Sequence, residues 1–107
     1  MYQKLLALDD ELLLPEEFTV SPAYPNPFNP TTTIDFAIPA LSDMRIVIYD
    51  ILGREMLRYE RLSLEAGYYQ FNWHGTDLSG RQAGSGVYII SVSNNEKHFT
   101  RKITLLK

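Results

Sequence analysis

Hydrophobic and polar positions alternate with a period of two through most of this chain. Ile34, Phe36 and Ile38 alternate with Thr33 and Asp35 over Thr33–Pro39, the pattern of a strand with one buried face. From Met44 to Tyr49 both parities are apolar (Met44, Ile46, Ile48 and Val47, Tyr49), which predicts a central strand. Arg54–Leu62 is more polar and reads as an edge strand. Tyr69, Phe71 and Trp73 alternate with Tyr68, Gln70 and Asn72. Val87–Ser93 is continuous and β-branched, as in a buried strand. In Lys97–Leu106, Phe99, Ile103 and Leu105 point inward, with Thr100, Lys102 and Thr104 outward. Residues 18–21 supply a short first strand.

Turn signals separate these runs. Asp50-Ile51-Leu52-Gly53 and Glu65-Ala66-Gly67 are turns, and Asn94-Asn95-Glu96 is a hairpin. His74–Gly86 is a loop carrying Gly75, Gly80, Gly84 and Gly86. All six prolines lie at or before Pro39, and all six glycines at or after Gly53. In Tyr24-Pro25-Asn26-Pro27-Phe28-Asn29-Pro30, each residue before a proline is driven to extended geometry. That segment is a stiff crossover, with Tyr24 and Phe28 expected as buried pins. About seven strands spaced roughly 8–12 residues apart predict an all-β antiparallel sandwich. Trp73 resembles the buried tryptophan of immunoglobulin sandwiches. No cysteine is present, so no disulfide joins the sheets.

Residues 1–14 read differently. Leu5, Leu8 and Leu12 fall at helical spacing and permit a short amphipathic turn. An isolated helix of that length is marginal in water. The segment is expected to be a leader or linker outside the sheets, with the domain spanning 15–107. Leu5-Leu6-Ala7-Leu8 runs into Asp9-Asp10-Glu11 and is no secretory signal, so any export signal is expected upstream.

Composition narrows the function. The 107 residues hold ten Lys+Arg against thirteen Asp+Glu, a net charge of −3. That balance does not favour nucleic acid. No apolar run approaches the roughly 18 residues of a membrane helix. Cysteine zinc sites and thiol chemistry are excluded. Acids gather at the head (Asp9, Asp10, Glu11, Glu16, Glu17) and bases at the tail (Lys97, Arg101, Lys102, Lys107).

Candidate chemistry is sparse. His74 and His98 lack a partner at metal-ligand spacing. No Gly-x-Ser-x-Gly elbow is present, and Gly84-Ser85-Gly86 precedes a strand, not a helix N-terminus that could take phosphate. Asp77 with Ser79-Gly80 is half a calcium loop without its terminal glutamate, and reads as a turn. Asp50 and Asp77 could share an ion in space. Tyr49, Tyr59, Tyr68 and Trp73 could line a sugar platform, although tyrosine is common in strands. No enzyme activity, cofactor or metal is expected.

Five blocks in order carry a resemblance. They are Tyr24-Pro25-Asn26-Pro27-Phe28-Asn29-Pro30-Thr31-Thr32-Thr33-Ile34, Ile48-Tyr49-Asp50-Ile51-Leu52-Gly53-Arg54-Glu55, Ala66-Gly67 leading into Trp73-His74-Gly75-Thr76-Asp77-Leu78-Ser79-Gly80, Ser85-Gly86-Val87-Tyr88, and Thr100–Lys107. Together the chain resembles the type A C-terminal sorting domain of the bacterial type IX secretion system, a family similar to the immunoglobulin-like domain of flagellar hook-capping proteins. His74 stands where the family usually has aspartate.

The resemblance implies an extracytoplasmic, non-catalytic address behind an N-terminal cargo. Its partners would be the outer-membrane translocon and a sortase-like peptidase, and its destination the cell surface or medium by way of the periplasm. Lys102, Leu105, Leu106 and Lys107 are then the candidate residues read by the machinery. Deleting Leu105-Leu106-Lys107 is expected to cost little stability, because chain ends fray. Tyr24, Pro25, Phe28, Tyr69, Phe71, Trp73, Gly75, Gly80, Gly86 and Tyr88 are the candidate structural positions. The rival reading is an adhesion or carbohydrate-binding sandwich appended to a secreted enzyme. A sorting domain must be the last domain of its precursor, whereas an adhesion module need not be.

Overall fold

The structure is a computed structural model, and it describes residues 2–5 and 14–107. Eight strands follow one another: β1 (Tyr2–Leu5), β2 (Thr19–Val20), β3 (Thr32–Ile38), β4 (Ser42–Asp50), β5 (Glu55–Leu64), β6 (Gly67–Trp73), β7 (Gly86–Ser93) and β8 (His98–Leu105). They form two four-stranded antiparallel sheets, ordered β1-β6-β3-β2 and β5-β4-β7-β8. The described residues include no helix. The fold is an immunoglobulin-like β-sandwich.

The period-two pattern decides which face is buried. On the first sheet, Ile34, Phe36 and Ile38 stand beside Tyr69, Phe71 and Trp73, all buried. On the second, Met44, Ile46 and Ile48 meet Tyr88, Ile90 and Val92, with Leu57, Ile103 and Leu105 at the flanks. Val47 is buried on the opposite face of β4, which explains why both parities of that strand are apolar. The outer face of the first sheet is polar. There the Thr33 hydroxyl donates to Asn72, and the Tyr24 hydroxyl to Asp35.

Aromatic contacts lock the two layers together. The Trp73 ring lies 5.5 Å from Phe28 and 5.3 Å from Tyr88, and its indole N–H donates to the Thr76 carbonyl at 2.9 Å. A buried indole needs that acceptor. Two tyrosine hydroxyls reach back four residues to main-chain carbonyls, Tyr69 to Glu65 and Tyr88 to Gly84. Each fixes the glycine-bearing turn that feeds its strand.

Two expectations change. The segment 1–14 is not wholly outside the sheets. Tyr2–Leu5 pairs with Tyr68–Phe71 at the edge of the first sheet, because β6 offers an open flank that local spacing cannot reveal. Leu8 and Leu12 lie outside the described residues. Tyr24 is not a buried pin: it is 45% exposed and works through its hydroxyl, whereas Phe28 is buried at 2%.

Candidate functional site

The tail is held firmly by its surroundings. β8 is an edge strand, paired on one side to β7. The proline-rich segment runs along its other side. The Asn26 side chain donates to the Lys102 carbonyl at 2.9 Å and accepts from the Thr104 N–H at 3.0 Å. Phe28 continues this ladder: its N–H donates to the Thr104 carbonyl, and its carbonyl accepts from the Leu106 N–H. The Lys107 N–H donates to the Ser85 hydroxyl at 3.1 Å.

Alternation splits the candidate address. Lys102, Leu106 and Lys107 are exposed. Leu105 is fully buried and carries no accessible surface for a partner, since its position on β8 continues the inward set of Ile103. The expectation that removing Leu105-Leu106-Lys107 costs little therefore fails. One of the three is a core residue, and the other two donate their N–H groups to the Phe28 carbonyl and the Ser85 hydroxyl.

The same end of the sandwich gathers three loops. Asp50 pairs with Tyr88, and Gly86 with Leu105, so the β4–β5 turn, the β6–β7 loop and the tail lie side by side. Gly75 (φ 72°) makes this approach possible. A Cβ there would lie 3.1 Å from the Pro30 carbonyl oxygen and 3.6 Å from Leu105 Cδ2. The imidazole Nδ1 of His74 is bonded to the Thr31 hydroxyl at 3.0 Å, which ties this loop to the start of β3.

Two of these turns share one construction that the strand pattern does not reveal. Asp50-Ile51-Leu52-Gly53-Arg54 and Asp77-Leu78-Ser79-Gly80-Arg81 both read Asp-x-x-Gly-Arg. In each, the aspartate N–H donates to the arginine carbonyl and the glycine N–H to the aspartate carbonyl. The carboxylate then accepts the N–H groups two and four residues on, Leu52 and Arg54 in one, Ser79 and Arg81 in the other. Both glycines sit at φ 82°. The arginine Nε lies 2.7 Å from Asp50 and 3.6 Å from Asp77. The repeated five-residue string was the available signal.

These bonds set the charge state of the turns. The Ser79 hydroxyl and the Arg81 N–H hold the Asp77 carboxyl below its ordinary range against partial desolvation. For Asp50, desolvation pushes upward, but the Arg54 N–H and guanidinium and the Leu52 N–H outweigh it and leave the group lowered. Each carboxylate faces its own turn, so the two do not converge on a shared ion. Among the described residues no group of three or more His, Asp or Glu could hold a metal.

The aromatic platform does not assemble. Trp73 is in the core, and Tyr59 packs inward with its ring 5.5 Å from Phe71. Tyr49 and Tyr68 lie on the outer faces of opposite sheets. Of the remaining structural candidates, Pro25 offers its carbonyl to the Thr32 hydroxyl, Gly80 closes the second Asp-x-x-Gly-Arg turn, and Gly86 starts β7 at φ 152°.

Solved structures share this architecture. PorU from Porphyromonas gingivalis, in its dimeric latent form, matches at a TM-score of 0.59 and 21% identity, over 88% of this chain and 10% of that one. PorZ, a surface component of the type IX secretion system of the same organism, matches at 0.56 and 25%, over 84% and 11%. FlgD from P. aeruginosa matches at 0.53 and 25%, over 69% and 59%. This chain thus spans about a tenth of the length of PorU and PorZ. No curated protein sequence matches it. The sequence profile of the family described as "Secretion system C-terminal sorting domain" matches residues 22–106, and the chain belongs to that family of type IX secretion sorting signals, which direct proteins to the cell surface or medium.

Proposed function

We propose that this domain is a passive address. It travels behind an N-terminal cargo, is read at the outer membrane by the type IX translocon, and is removed by a sortase-like peptidase. The family match over residues 22–106 is the observation that carries the reading. Lys102, Leu106 and Lys107 are the tail residues assigned to the machinery, and Leu105 is assigned to the core beneath them.

A non-catalytic role agrees with the site chemistry. The nearest approach to a catalytic pair is Ser91 Oγ and His98 Nε2, 2.6 Å apart on the outer face of the second sheet. Ser91 lies on β7, a central strand whose amides are committed to β4 and β8. No amide pair is left there to hold an oxyanion.

Export of a fusion tests the proposal. A passive reporter carrying the full 107-residue chain at its C-terminus is expressed in a bacterium with the secretion system and in a strain lacking the translocon. The full chain is used because residues 2–5 form a strand of the sandwich. Reporter is expected outside the cell only in the first strain. The pair Lys102→Ala and Lys107→Ala is expected to cut export without moving the thermal midpoint. Equal export from both strains would refute the reading.

A further inference from the structure

The outer faces of the two sheets differ. On the first, Tyr24, Thr33, Asp35, Gln70 and Asn72 bond one another and leave a polar surface. On the second, Tyr49, Ile51, Val87 and Ile89 line an open hollow of about 530 Å3, with Ser91 and His98 also on its wall. Ile51 is 75% exposed, and Tyr49, Val87 and Ile89 are half-buried. Strand register sets the charges around this hollow. One row across the sheet reads Glu55, Tyr49, Ile89, Lys102 from β5 to β8. The next reads Arg58, Val47, Ser91, Thr100, and the third Glu60, Arg45, Ser93, His98. Arg58 pairs with both Glu55 and Glu60, at 2.8 and 2.9 Å, so these three side chains leave one net negative charge on the β5 flank. On the β8 flank, Lys102 is exposed and forms no ion pair among the described residues.

We propose that this face pairs with the same face of a second copy of the chain, about a two-fold axis that runs along the strands between β4 and β7. That rotation lays β4 over β7 and β5 over β8, and it reverses each row. The first row read backwards is Lys102, Ile89, Tyr49, Glu55, so Tyr49 lies over Ile89 of the second copy and Glu55 meets its Lys102. In the third row Glu60 meets His98. Ile51, two residues beyond Tyr49, comes over Val87, two residues before Ile89, and loses its exposure. Arg45 is the one cation beside the axis, and Glu60 is its neighbour in the same row. Each attraction occurs twice, because a two-fold interface is isologous. Sheets packed face to face keep their strands within about 30° of each other, which holds the rows in step. A two-fold axis across the strands would instead set β5 on β5 and β8 on β8, like charge on like. A four-stranded face of this length covers about 500 Å2, so pairing removes about 1,000 Å2 in all, the lower limit of specific interfaces. The dimer is therefore weak and dissociates on dilution. The inference does not rest on the sorting reading. It bears on it, because pairing covers Lys102 and withholds that residue from the machinery.

Sedimentation velocity on the full 107-residue chain, at concentrations up to about 1 mM, tests the pairing. The mean mass is expected to rise from one copy toward two. Ile89→Lys is expected to weaken association at least about tenfold with an unchanged melt, since a few central side chains dominate an interface. Charge reversal tests the axis itself. Lys102→Glu and Glu55→Lys should each weaken the dimer several-fold, because each acts twice, and the two combined should restore it to near wild type. A chain that stays monomeric throughout overturns the proposal. If Ile89→Lys nonetheless abolishes export of the reporter fusion, the face belongs to a different protein. A dimer indifferent to Ile89→Lys forms elsewhere on the molecule, and a double variant weaker than either single shows that Glu55 and Lys102 do not meet; both overturn the pairing. Should Ile89→Lys melt early, cross-linking replaces it. The chain has no cysteine, so Ile89→Cys gives one thiol per copy, close to the axis. A short bismaleimide is expected to join two copies through it, but not through Thr33→Cys on the outer face of the first sheet; the reverse pattern would overturn the pairing.

Discussion

Leu105 and Leu106 are adjacent in sequence and opposite in environment, and alanine at each should separate stability from address. Leu105 has no exposed surface, packs at the meeting of β8 with the Gly75 loop, and belongs to the main core cluster. Truncating a buried leucine costs about 2–5 kcal/mol, comprising the lost transfer energy and the cavity left behind. A site near a chain end collapses more readily than one at the centre, so about 3 kcal/mol is the working figure. For a domain of this size each kcal/mol moves the midpoint by about 4–8 °C. Leu105→Ala should therefore lower the midpoint by about 12–24 °C. Leu106 is 53% exposed and contributes mainly its main-chain bond to Phe28, which alanine keeps. Its substitution should stay within about 0.5 kcal/mol of wild type. Scanning calorimetry on the two variants side by side measures the difference. Equal midpoints would refute the inward placement of Leu105 and with it the register of β8 against β7.

Two further outcomes are expected. Trp73→Ala should cost about 3–5 kcal/mol, because it removes a side chain that is 1% exposed and leaves the Thr76 carbonyl without its donor; a shift of under about 5 °C in the melt would contradict this. Acid should destabilise the domain through its turns: the carboxyls of Asp50 and Asp77 titrate below their ordinary range in the fold, so their stabilisation is complete above about pH 4 and is lost as pH falls through the lowered values. Asp77→Asn should flatten that limb in melts taken across pH 2–6 (about the range where carboxylates titrate), and an unaltered acid limb would exclude Asp77 as its source.

The strands were legible because each has one buried face, and a period of two records that face directly. The edge and central positions of β5 and β4 followed from the same record, through the polar run Arg58-Tyr59-Glu60-Arg61 and the doubly apolar run around Val47. What escaped was set by partners distant in sequence. β1 depends on the open flank of β6, while the spacing of Leu5, Leu8 and Leu12 only permitted a short amphipathic turn and carried no sign of a strand. Tyr24 looked like a core aromatic, but its hydroxyl finds Asp35 eleven residues away and keeps the ring outside. At Leu105 two readings made incompatible demands, one for a core position and one for an exposed signal. Alternation was the better guide, because side-chain direction in a strand is fixed by parity and not by distance from the terminus. The Asp-x-x-Gly-Arg construction was in plain view as a repeat, yet each copy taken singly is only a turn.

The proline-rich segment gives the tail its form and solves a problem of exposed edges at the same time. β8 presents outward-facing amides and carbonyls, and a free edge of that kind pairs with other chains. Asn26 and Phe28 satisfy Lys102, Thr104 and Leu106 along its last half. Farther back, the Arg101 guanidinium bonds the Thr100 carbonyl and reaches Val20 and Ser21 in the first sheet. Proline supplies the stiffness, and asparagine stands in for a strand with its side-chain amide, offering one donor and one acceptor where a main-chain neighbour would offer the same. The consequence is a link between folding and recognition. Leu106 and Lys107 take their positions from Phe28 and Ser85, so a partner that reads both residues in place recognises only a domain in which the segments near residues 28, 85 and 106 have already come together. An unfolded tail with the same sequence would present the residues without the surface.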